Sequence, residues 1–115
     1  MRNYALVILG LCAFATTTQA NSTLMSETYT CERGVIVPSV YATLETGENV
    51  AVIGVDSKQI GLIQVEAASG VKYAPLEDIA GYIWWTKGNE ASLYFRIGPN
   101  GSEEMTVLQD CIAFQ

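Results

Sequence analysis

The sequence predicts an all-β domain of about eight short antiparallel strands, arranged as a sandwich or a barrel. Three observations predict it. Short segments of alternating apolar and polar residues recur at roughly ten-residue spacing, separated by turn residues. No segment carries a convincing helical period. Two cysteines, Cys31 and Cys111, lie at the two ends of this region, where a disulfide would tie the first strand to the last.

The first twenty residues have the pattern of a cleavable export signal. Arg2 precedes a short apolar run, and a polar stretch then leads to the small residue Ala20. The run of about a dozen apolar residues is short for a membrane span. We therefore expect residues 1–20 to be a signal peptide cut near Ala20, with no membrane insertion after cleavage. Cys12 raises the alternative of a lipid anchor, which the bulky Leu11 before it disfavours.

One small domain remains after this cut. A polar lead-in at 21–27 comes first, and the β domain covers 28–115. The even pair of cysteines in an exported chain predicts a disulfide between Cys31 and Cys111. A metal site would need further ligands, and the sequence has no histidine. We therefore expect no metal and no cofactor.

The first half of the domain contains four predicted strands, at 28–33, 35–44, 50–55 and 59–68. They end at clusters of turn-forming residues, namely Gly34, 45–49, 56–58 and 69–70. Pro38 lies inside the second of these strands. Because proline cannot donate a backbone hydrogen bond, it predicts an edge, a bulge or a break at that point.

The second half contains four more, at 71–74, 80–86, 91–97 and 105–113. The segment 80–86 is strongly aromatic, with Tyr82, Trp84 and Trp85. Residues 75–80 are predicted to connect two strands, with a single helical turn as the alternative. Eight strands can close into a barrel whose interior is filled by side chains, and closure would remove the exposed edges of a small β protein.

The composition excludes several classes of partner. Without Arg2 the chain has five basic and twelve acidic residues, a net charge near −7. Nucleic acids and anionic membranes attract basic surfaces, so neither is an expected partner. An acidic domain favours solubility and fast encounter with a cationic partner.

The usual catalytic residues are missing. Without histidine there is no Ser-His-Asp or Cys-His arrangement, and no glycine-rich phosphate loop or dinucleotide motif is present. The acidic pairs at 77–78 and 103–104 lie in loop-like sequence and are interpreted as solvated surface. We therefore predict a binding protein and not an enzyme. The tyrosines and tryptophans leave a second function open, a small-ligand-binding periplasmic carrier with an aromatic-lined barrel.

Four motifs resemble those of one known family. They are Tyr-Thr-Cys-Glu at 29–32, Ser-Gly-Val-Lys-Tyr at 69–73, Trp-Thr-Lys-Gly-Asn-Glu-Ala at 85–91, and Cys111. In order and spacing they resemble the MliC/PliC family, the bacterial membrane-bound or periplasmic inhibitors of c-type lysozyme. The resemblance implies an eight-stranded antiparallel barrel, c-type lysozyme as the protein partner and a periplasmic location. Whether two copies pair as a homodimer is left open.

The resemblance also implies site residues. Family members insert loops into the lysozyme cleft, where the serine of S-G-x-x-Y and the lysine of W-T-K-G reach the catalytic carboxylates. These positions match Ser69 and Lys87. The neighbouring glycines would let both tips turn tightly, and the motif tyrosine and threonine would buttress the tips or touch the rim. The lysozyme-contacting residues implied are Ser69, Gly70, Tyr73, Thr86, Lys87 and Gly88.

The sequence departs from the family pattern at two places. A second serine common in the family is replaced by Ala67, and the stretch between the two loop motifs is lengthened by residues 75–81. The longer stretch is expected to move Lys87 relative to Ser69 or to add a contact. The departures leave a third function open, an envelope or surface interaction protein with a different target.

Overall fold

Eight antiparallel strands close into a barrel in which each strand pairs with the next, and β8 pairs with β1. The computed structural model describes residues 23–77, 79–98 and 103–114. The strands are β1 Thr23–Thr30, β2 Ile36–Thr43, β3 Asn49–Val55, β4 Lys58–Val65, β5 Val71–Ala74, β6 Gly81–Lys87, β7 Glu90–Ile97 and β8 Glu103–Ala113. The predicted all-β barrel is confirmed. Within the described ranges, no helix is long and apolar enough to cross a membrane.

Strand β1 begins at Thr23, well before the predicted start at residue 28. Its register with β2 runs without interruption from Thr23↔Thr43 to Thr30↔Ile36. Backbone pairing holds the first half of the strand, where most side chains are exposed, so apolar alternation does not mark it. The predicted loose lead-in is therefore wrong from Thr23 onward. The export signal predicted at 1–20 lies outside the described residues.

Pro38 lies in the middle of β2 and interrupts one of its two ladders. On the β1 side it pairs with Thr28, and the ladder continues past it. On the β3 side the ladder reaches only Ser39↔Ile53. A Cβ on Gly54 would lie 2.9 Å from Pro38 Cγ, so a glycine here lets the proline ring pack against β3. The predicted break is confirmed on this side alone.

The interior of the barrel is packed with large side chains. Alternate residues of a strand point to opposite faces, so Trp84 faces inward and its neighbour Trp85 faces outward. Tyr29 packs edge-on against Trp84, with ring centroids 5.0 Å apart. The largest fully buried side chains of this core are Trp84, Ile53, Leu62, Leu93, Val37 and Cys111. This is the filled interior expected of an eight-stranded barrel.

The barrel closes along a seam between β1 and β8. Among the described residues, the ladder pairs Tyr29 with Ala113 and Thr30 with Ile112. The predicted disulfide between Cys31 and Cys111 is confirmed and lies beside this seam, with both cysteines buried. It joins residues 80 positions apart, and so ties the start of the barrel to its end.

The connection at 75–80 folds against the outer face of the barrel. A Cβ on Gly81 would lie 2.7 Å from Pro75 Cγ, which shows how closely the chain returns on itself. Arg96 of β7 donates from Nε and Nη2 to the carbonyl oxygen of Ile79, at 3.2 and 3.0 Å. The described residues of this connection form bends and no helix. The alternative helical turn at 76–79 includes Asp78, which lies outside the described residues.

Alternate connections share one end of an up-and-down barrel. The connections at 44–48, 66–70 and 88–89 lie at one end, called the site end below. The connections at 31–35, 56–57 and 75–80 lie at the other, called the far end. Both loop motifs singled out in the sequence therefore meet at the site end.

Replacing Cys31 and Cys111 by alanine should lower the free energy of unfolding by about 4.5 kcal/mol, the value that the chain-entropy model gives for a crosslink closing a loop of this length. Urea unfolding followed by tryptophan fluorescence measures the loss. Wild-type protein in dithiothreitol should lose the same amount, whereas the double variant should not respond to reductant. A double variant as stable as the oxidised wild type would contradict this role for the disulfide.

Candidate functional site

The two predicted loop tips lie side by side at the site end. Ser69 and Gly70 end the β4–β5 connection, and Lys87 is the last residue of β6. The β5–β6 register pairs Val71 with Thr86, so the next step of the ladder places Gly70 opposite Lys87. A Cβ on Gly70 would lie 2.6 Å from Lys87 Cγ. Strand pairing therefore brings the two motifs into contact.

The glycines of the two tips are needed for different reasons. Gly70 has a φ of +68° and Gly88 a φ of +59°, the left-handed region that favours glycine. Gly88 is the first residue of the two-residue turn between β6 and β7, where hairpin turns of the primed types need a positive φ. A Cβ on Gly88 would meet no atom within 4 Å, whereas one on Gly70 would collide with Thr86 and Lys87.

Trp85 connects the two tips on the outer face of the barrel. Its indole Nε1–H donates to the carbonyl oxygen of Ser69 at 2.8 Å. Its ring centroid lies 5.3 Å from Lys87 Nζ and 4.7 Å from Lys72 Nζ, both within the range of cation–π attraction. The Trp85 side chain thus binds the backbone of the first tip and contacts the Lys87 ammonium group of the second.

The sequence prediction does not include Lys72 and Trp85 among the site residues, although both lie within the quoted motifs. Tyr73 faces the interior, so its neighbour Lys72 faces out, directly opposite Trp85 in the β5–β6 ladder. The alternation along β5 predicts that Lys72 faces outward. That Trp85 lies opposite it depends on the register between β5 and β6, which neither motif reveals.

Tyr73 and Thr86 lie beneath the tips. Tyr73 is 7% exposed, and its ring centroid lies 5.5 Å from that of Tyr41 inside the barrel. Thr86 Oγ1 donates to the carbonyl oxygen of Val71 at 3.3 Å, across the β5–β6 pair. Of the two roles predicted for these residues, the geometry fits the buttress better than a rim contact.

The extra residues between the motifs do not disturb the tips. The 75–80 connection lies at the far end, and β5 pairs with β6 in regular register from Tyr73↔Trp84 to Val71↔Thr86. The segment therefore lies away from Ser69 and Lys87, at the opposite end of the barrel. Its effect on the position of Lys87 or on contacts with a partner stays a prediction.

A cavity of about 420 Å³ opens at the site end beside the tips. Its inner wall contains Tyr29, Tyr41 and Tyr73, and the 88–89 turn forms part of its rim. Trp84 Nε1–H donates to the Tyr41 hydroxyl at 2.7 Å, and the hydroxyls of Tyr29 and Tyr41 are 2.9 Å apart. A hydrogen-bonded aromatic group therefore closes the bottom of this cavity.

Burial raises the pKa of the Tyr29 hydroxyl above its ordinary range, and the hydrogen bond with Tyr41 and the nearby Glu27 carboxylate raise it further. Burial, with a smaller contribution from Tyr41, also raises the pKa of Tyr73. Both phenols therefore stay protonated at neutral pH and can act as hydrogen-bond donors.

The tips offer a definite chemistry. Ser69 and Lys87 are exposed, and they present a hydroxyl and an ammonium group from adjacent strands. Both groups can donate hydrogen bonds to carboxylates, and those of the ammonium are charge-assisted. In the described ranges, no cluster of histidine, cysteine or acidic side chains could hold a metal ion. The site is therefore suited to binding an acidic surface.

Comparison with known proteins identifies the family. The model of a family described as membrane-bound lysozyme-inhibitor of c-type lysozyme, MliC, matches residues 29–100. The chain belongs to the MliC family. The matched range contains both tips and Trp85, so the resemblance inferred from the motifs is confirmed.

A curated relative from Pseudomonas aeruginosa, a membrane-bound lysozyme inhibitor of C-type lysozyme, is 44% identical over 68 residues, which are 57% of this chain. The match spans about half (49%) of that relative's length.

Two solved structures resemble the barrel. PliC-St, the periplasmic lysozyme inhibitor of C-type lysozyme from Salmonella typhimurium, superposes with a TM-score of 0.63 at 24% identity, covering 81% of this chain and 100% of that chain. Pseudomonas aeruginosa MliC, in a complex with hen egg white lysozyme, superposes with a TM-score of 0.62 at 30% identity, covering 92% of this chain and 98% of that chain.

Gly70→Ala should destabilise the fold more than Gly88→Ala. Positive φ costs an alanine roughly 1–2 kcal/mol at either position. Only the Gly70 variant also drives a Cβ into Thr86 and Lys87, and such overpacking adds about 1–3 kcal/mol. Urea unfolding of the two variants measures the difference. Equal losses would contradict the close approach of the tips.

Stability should fall as the pH rises above about 10. In the unfolded chain Tyr29 and Tyr73 ionise near the ordinary value of 10.0, whereas the folded protein keeps them protonated. A folded-state pKa above the unfolded one stabilises fully below the unfolded pKa, and the stabilisation is lost as the pH rises beyond it. Thermal unfolding at a series of pH values measures the slope.

The matched variants are Tyr29→Phe and Tyr94→Phe. Tyr29→Phe should flatten the alkaline slope, because it removes a group that ionises only in the unfolded chain. Tyr94 lies on the outer face of β7, and its variant is the control for the loss of one phenol. Identical slopes in the two variants would argue against the buried phenol as the cause.

Proposed function

We propose that this chain inhibits c-type lysozyme by inserting the Ser69 and Lys87 tips into the active-site cleft. The observation that carries the proposal is the adjacency of these two exposed side chains at one end of the barrel, with Trp85 joining their strands. Membership of the MliC family supports lysozyme as the partner. So does the relative that was solved in complex with hen egg white lysozyme. The chain acts on an enzyme and is not itself one.

The chemistry of the target suits these two groups. A lysozyme cleaves a glycosidic bond between a carboxylic acid and a second carboxylate that acts as nucleophile or stabiliser. The Lys87 ammonium would form charge-assisted hydrogen bonds there and take the place of the positive charge of the transition state. The Ser69 hydroxyl would donate to the same carboxylates. The tips therefore occupy both the catalytic groups and the space of the substrate.

The charge of the whole chain and the charge at the tips would act at different stages of binding to lysozyme. The chain has a formal net charge of −6, which draws a cationic lysozyme toward it. At the contact itself two ammonium groups, those of Lys72 and Lys87, flank the Trp85 ring, and Glu90 lies opposite Lys87 in the β6–β7 ladder. The ammonium group of Lys87 would face the acidic cleft while the acidic body attracts the rest of the enzyme.

We place the protein in the bacterial envelope, where relatives are described as membrane-bound or periplasmic. In this proposal residues 1–20 direct export and are removed near Ala20, and the barrel domain, which begins with β1 at Thr23, acts in the periplasm. A lipid anchor at Cys12 is the alternative. In either form the inhibitor would protect peptidoglycan from lysozyme.

The packed interior argues against a carrier that encloses its ligand. Trp84, Ile53 and Leu93 are fully buried and fill the centre of the barrel. An enclosed ligand would have to displace them, at a cost of several kcal/mol for each large side chain. The cavity at the site end lies above this packed layer and is open to solvent.

Lys87→Ala should weaken inhibition of hen lysozyme at least tenfold, since truncating one partner of a buried charge pair costs about 2–5 kcal/mol. Lysis of a bacterial cell suspension by lysozyme, titrated with inhibitor, measures it. Lys58→Ala is the matched control, because it removes the same charge beside the 56–57 turn at the far end. It should inhibit as the wild type does.

The double variant Ser69→Ala, Lys87→Ala tests the mechanism apart from the partner. It should not inhibit at the concentrations at which the wild type does. Full inhibition by this variant would overturn insertion of the tips while leaving lysozyme as the partner. Wild-type protein that neither inhibits lysozyme nor retains it on a column would instead favour a different envelope target.

A further inference from the structure

The cavity at the site end has hydrogen-bond donors that nothing in the protein uses. One hydrogen bond joins the hydroxyls of Tyr29 and Tyr41, and it consumes one of their two hydrogens. Trp84 fills an acceptor position on Tyr41 and supplies no acceptor in return. The second O–H of the pair is therefore left without an acceptor among the described residues. The Tyr73 hydroxyl likewise makes no hydrogen bond within them.

These unused donors lie on the wall of the cavity, which is open to solvent. Tyr29 is 3% exposed and Tyr73 is 7% exposed, and both line the cavity. Their hydroxyls can therefore donate to a molecule that enters the cavity. A ligand that brings acceptor oxygens to this wall would take the place of solvent at these donors.

One acceptor lines the cavity near these donors. Glu27 lies two residues before Tyr29 on the same strand, so it shares the inward face of β1, and it lines the cavity. Within the described ranges its carboxylate has no ion-pair partner. None of the residues that line the cavity is basic. The wall thus combines phenol donors with a single carboxylate acceptor.

The phenol donors and the Glu27 carboxylate together restrict the class of ligand that the cavity can bind. An anion would face Glu27 with no basic side chain to balance it. An amine or ammonium group offers Glu27 a donor, but an ammonium brings no acceptor for the tyrosines. A secondary amide supplies both, because its carbonyl oxygen accepts from a phenol while its N–H donates to the carboxylate.

The rest of the cavity suits a hydroxylated ring. The lining also contains polar side chains, which could bond to ring hydroxyls, and apolar ones such as Met25 and Val71, which could pack against the C–H face of a sugar. The volume of about 420 Å³ lies in the range of small-molecule sites. The polar lining residues are Thr23, Thr43, Asn49, Thr86 and Asn89.

We propose that this cavity binds a small sugar carrying an acetamido group. The site is separate from the lysozyme-contacting side chains of Ser69 and Lys87, which do not bound the inner wall. It shares a rim with them, since the 88–89 turn that follows Lys87 also lines the cavity. Sugar and lysozyme would therefore meet the same end of the barrel.

The two tryptophan indole N–H signals allow a direct test by ¹H–¹⁵N NMR on the purified protein without lysozyme. Trp84 Nε1–H bonds to Tyr41 at the inner wall, so its signal should move on titration with N-acetylglucosamine. Trp85 Nε1–H bonds to Ser69 on the outer face and serves as the internal reference. Glucose and glucosamine should bind at least tenfold more weakly, because each lacks the amide.

Tyr73→Phe is the variant that keeps the fold. It removes a hydroxyl without a partner, so urea unfolding should show no loss of stability, while N-acetylglucosamine affinity should fall about tenfold. Tyr94→Phe on the outer face should bind as the wild type does. An unmoved Trp84 signal, glucosamine binding as tightly as N-acetylglucosamine, or undiminished binding by Tyr73→Phe would each overturn the proposal. Because lysozyme is absent, such a failure leaves the proposed inhibition untouched.

Discussion

Closure of the barrel depends on the seam between β1 and β8, where backbone pairing is reinforced by a covalent bond. Among the described residues, the β1–β8 ladder has two residue pairs, whereas β1 and β2 pair along the whole of Thr23–Thr30. The Cys31–Cys111 disulfide beside the seam limits how far β1 can separate from β8. Tyr29 belongs to the seam and also packs against Trp84 at the centre of the core. Opening the seam would therefore loosen the interior as well as the edge.

The candidate site depends on that closed barrel through one register. Pairing of Val71 with Thr86 sets Gly70 against Lys87, and a slip of β6 by one residue would turn Trp85 toward the interior. Trp85 then bridges the tips by a hydrogen bond to one and a cation–π contact to the other. The tips sit on paired strands with short connections, which reduces the conformational entropy lost on binding a cleft.

Local pattern predicted most of the fold, and non-local pairing accounts for what it missed. Strand 71–74 was predicted as observed, because turn residues bound it on both sides. The first half of β1 was missed, since its exposed side chains leave only backbone pairing to define it. The tips were found from motifs that include Ser69 and Lys87. Trp85 as the bridge between them was not, because a cross-strand neighbour cannot be identified from one strand.

The cavity could not be predicted from the sequence for the same reason, because its wall is assembled from separate strands. Tyr29, Tyr41 and Tyr73 lie on three strands, and each reads alone as an ordinary aromatic residue of a β-strand. Only the closed barrel brings their rings together. The hydrogen bonds among Tyr29, Tyr41 and Trp84 leave one hydroxyl hydrogen without an acceptor among the described residues. A core selected for packing alone could use phenylalanine at position 73, where the hydroxyl bonds to nothing in the described structure. The Tyr73 phenol is therefore available to the acetamido sugar proposed above.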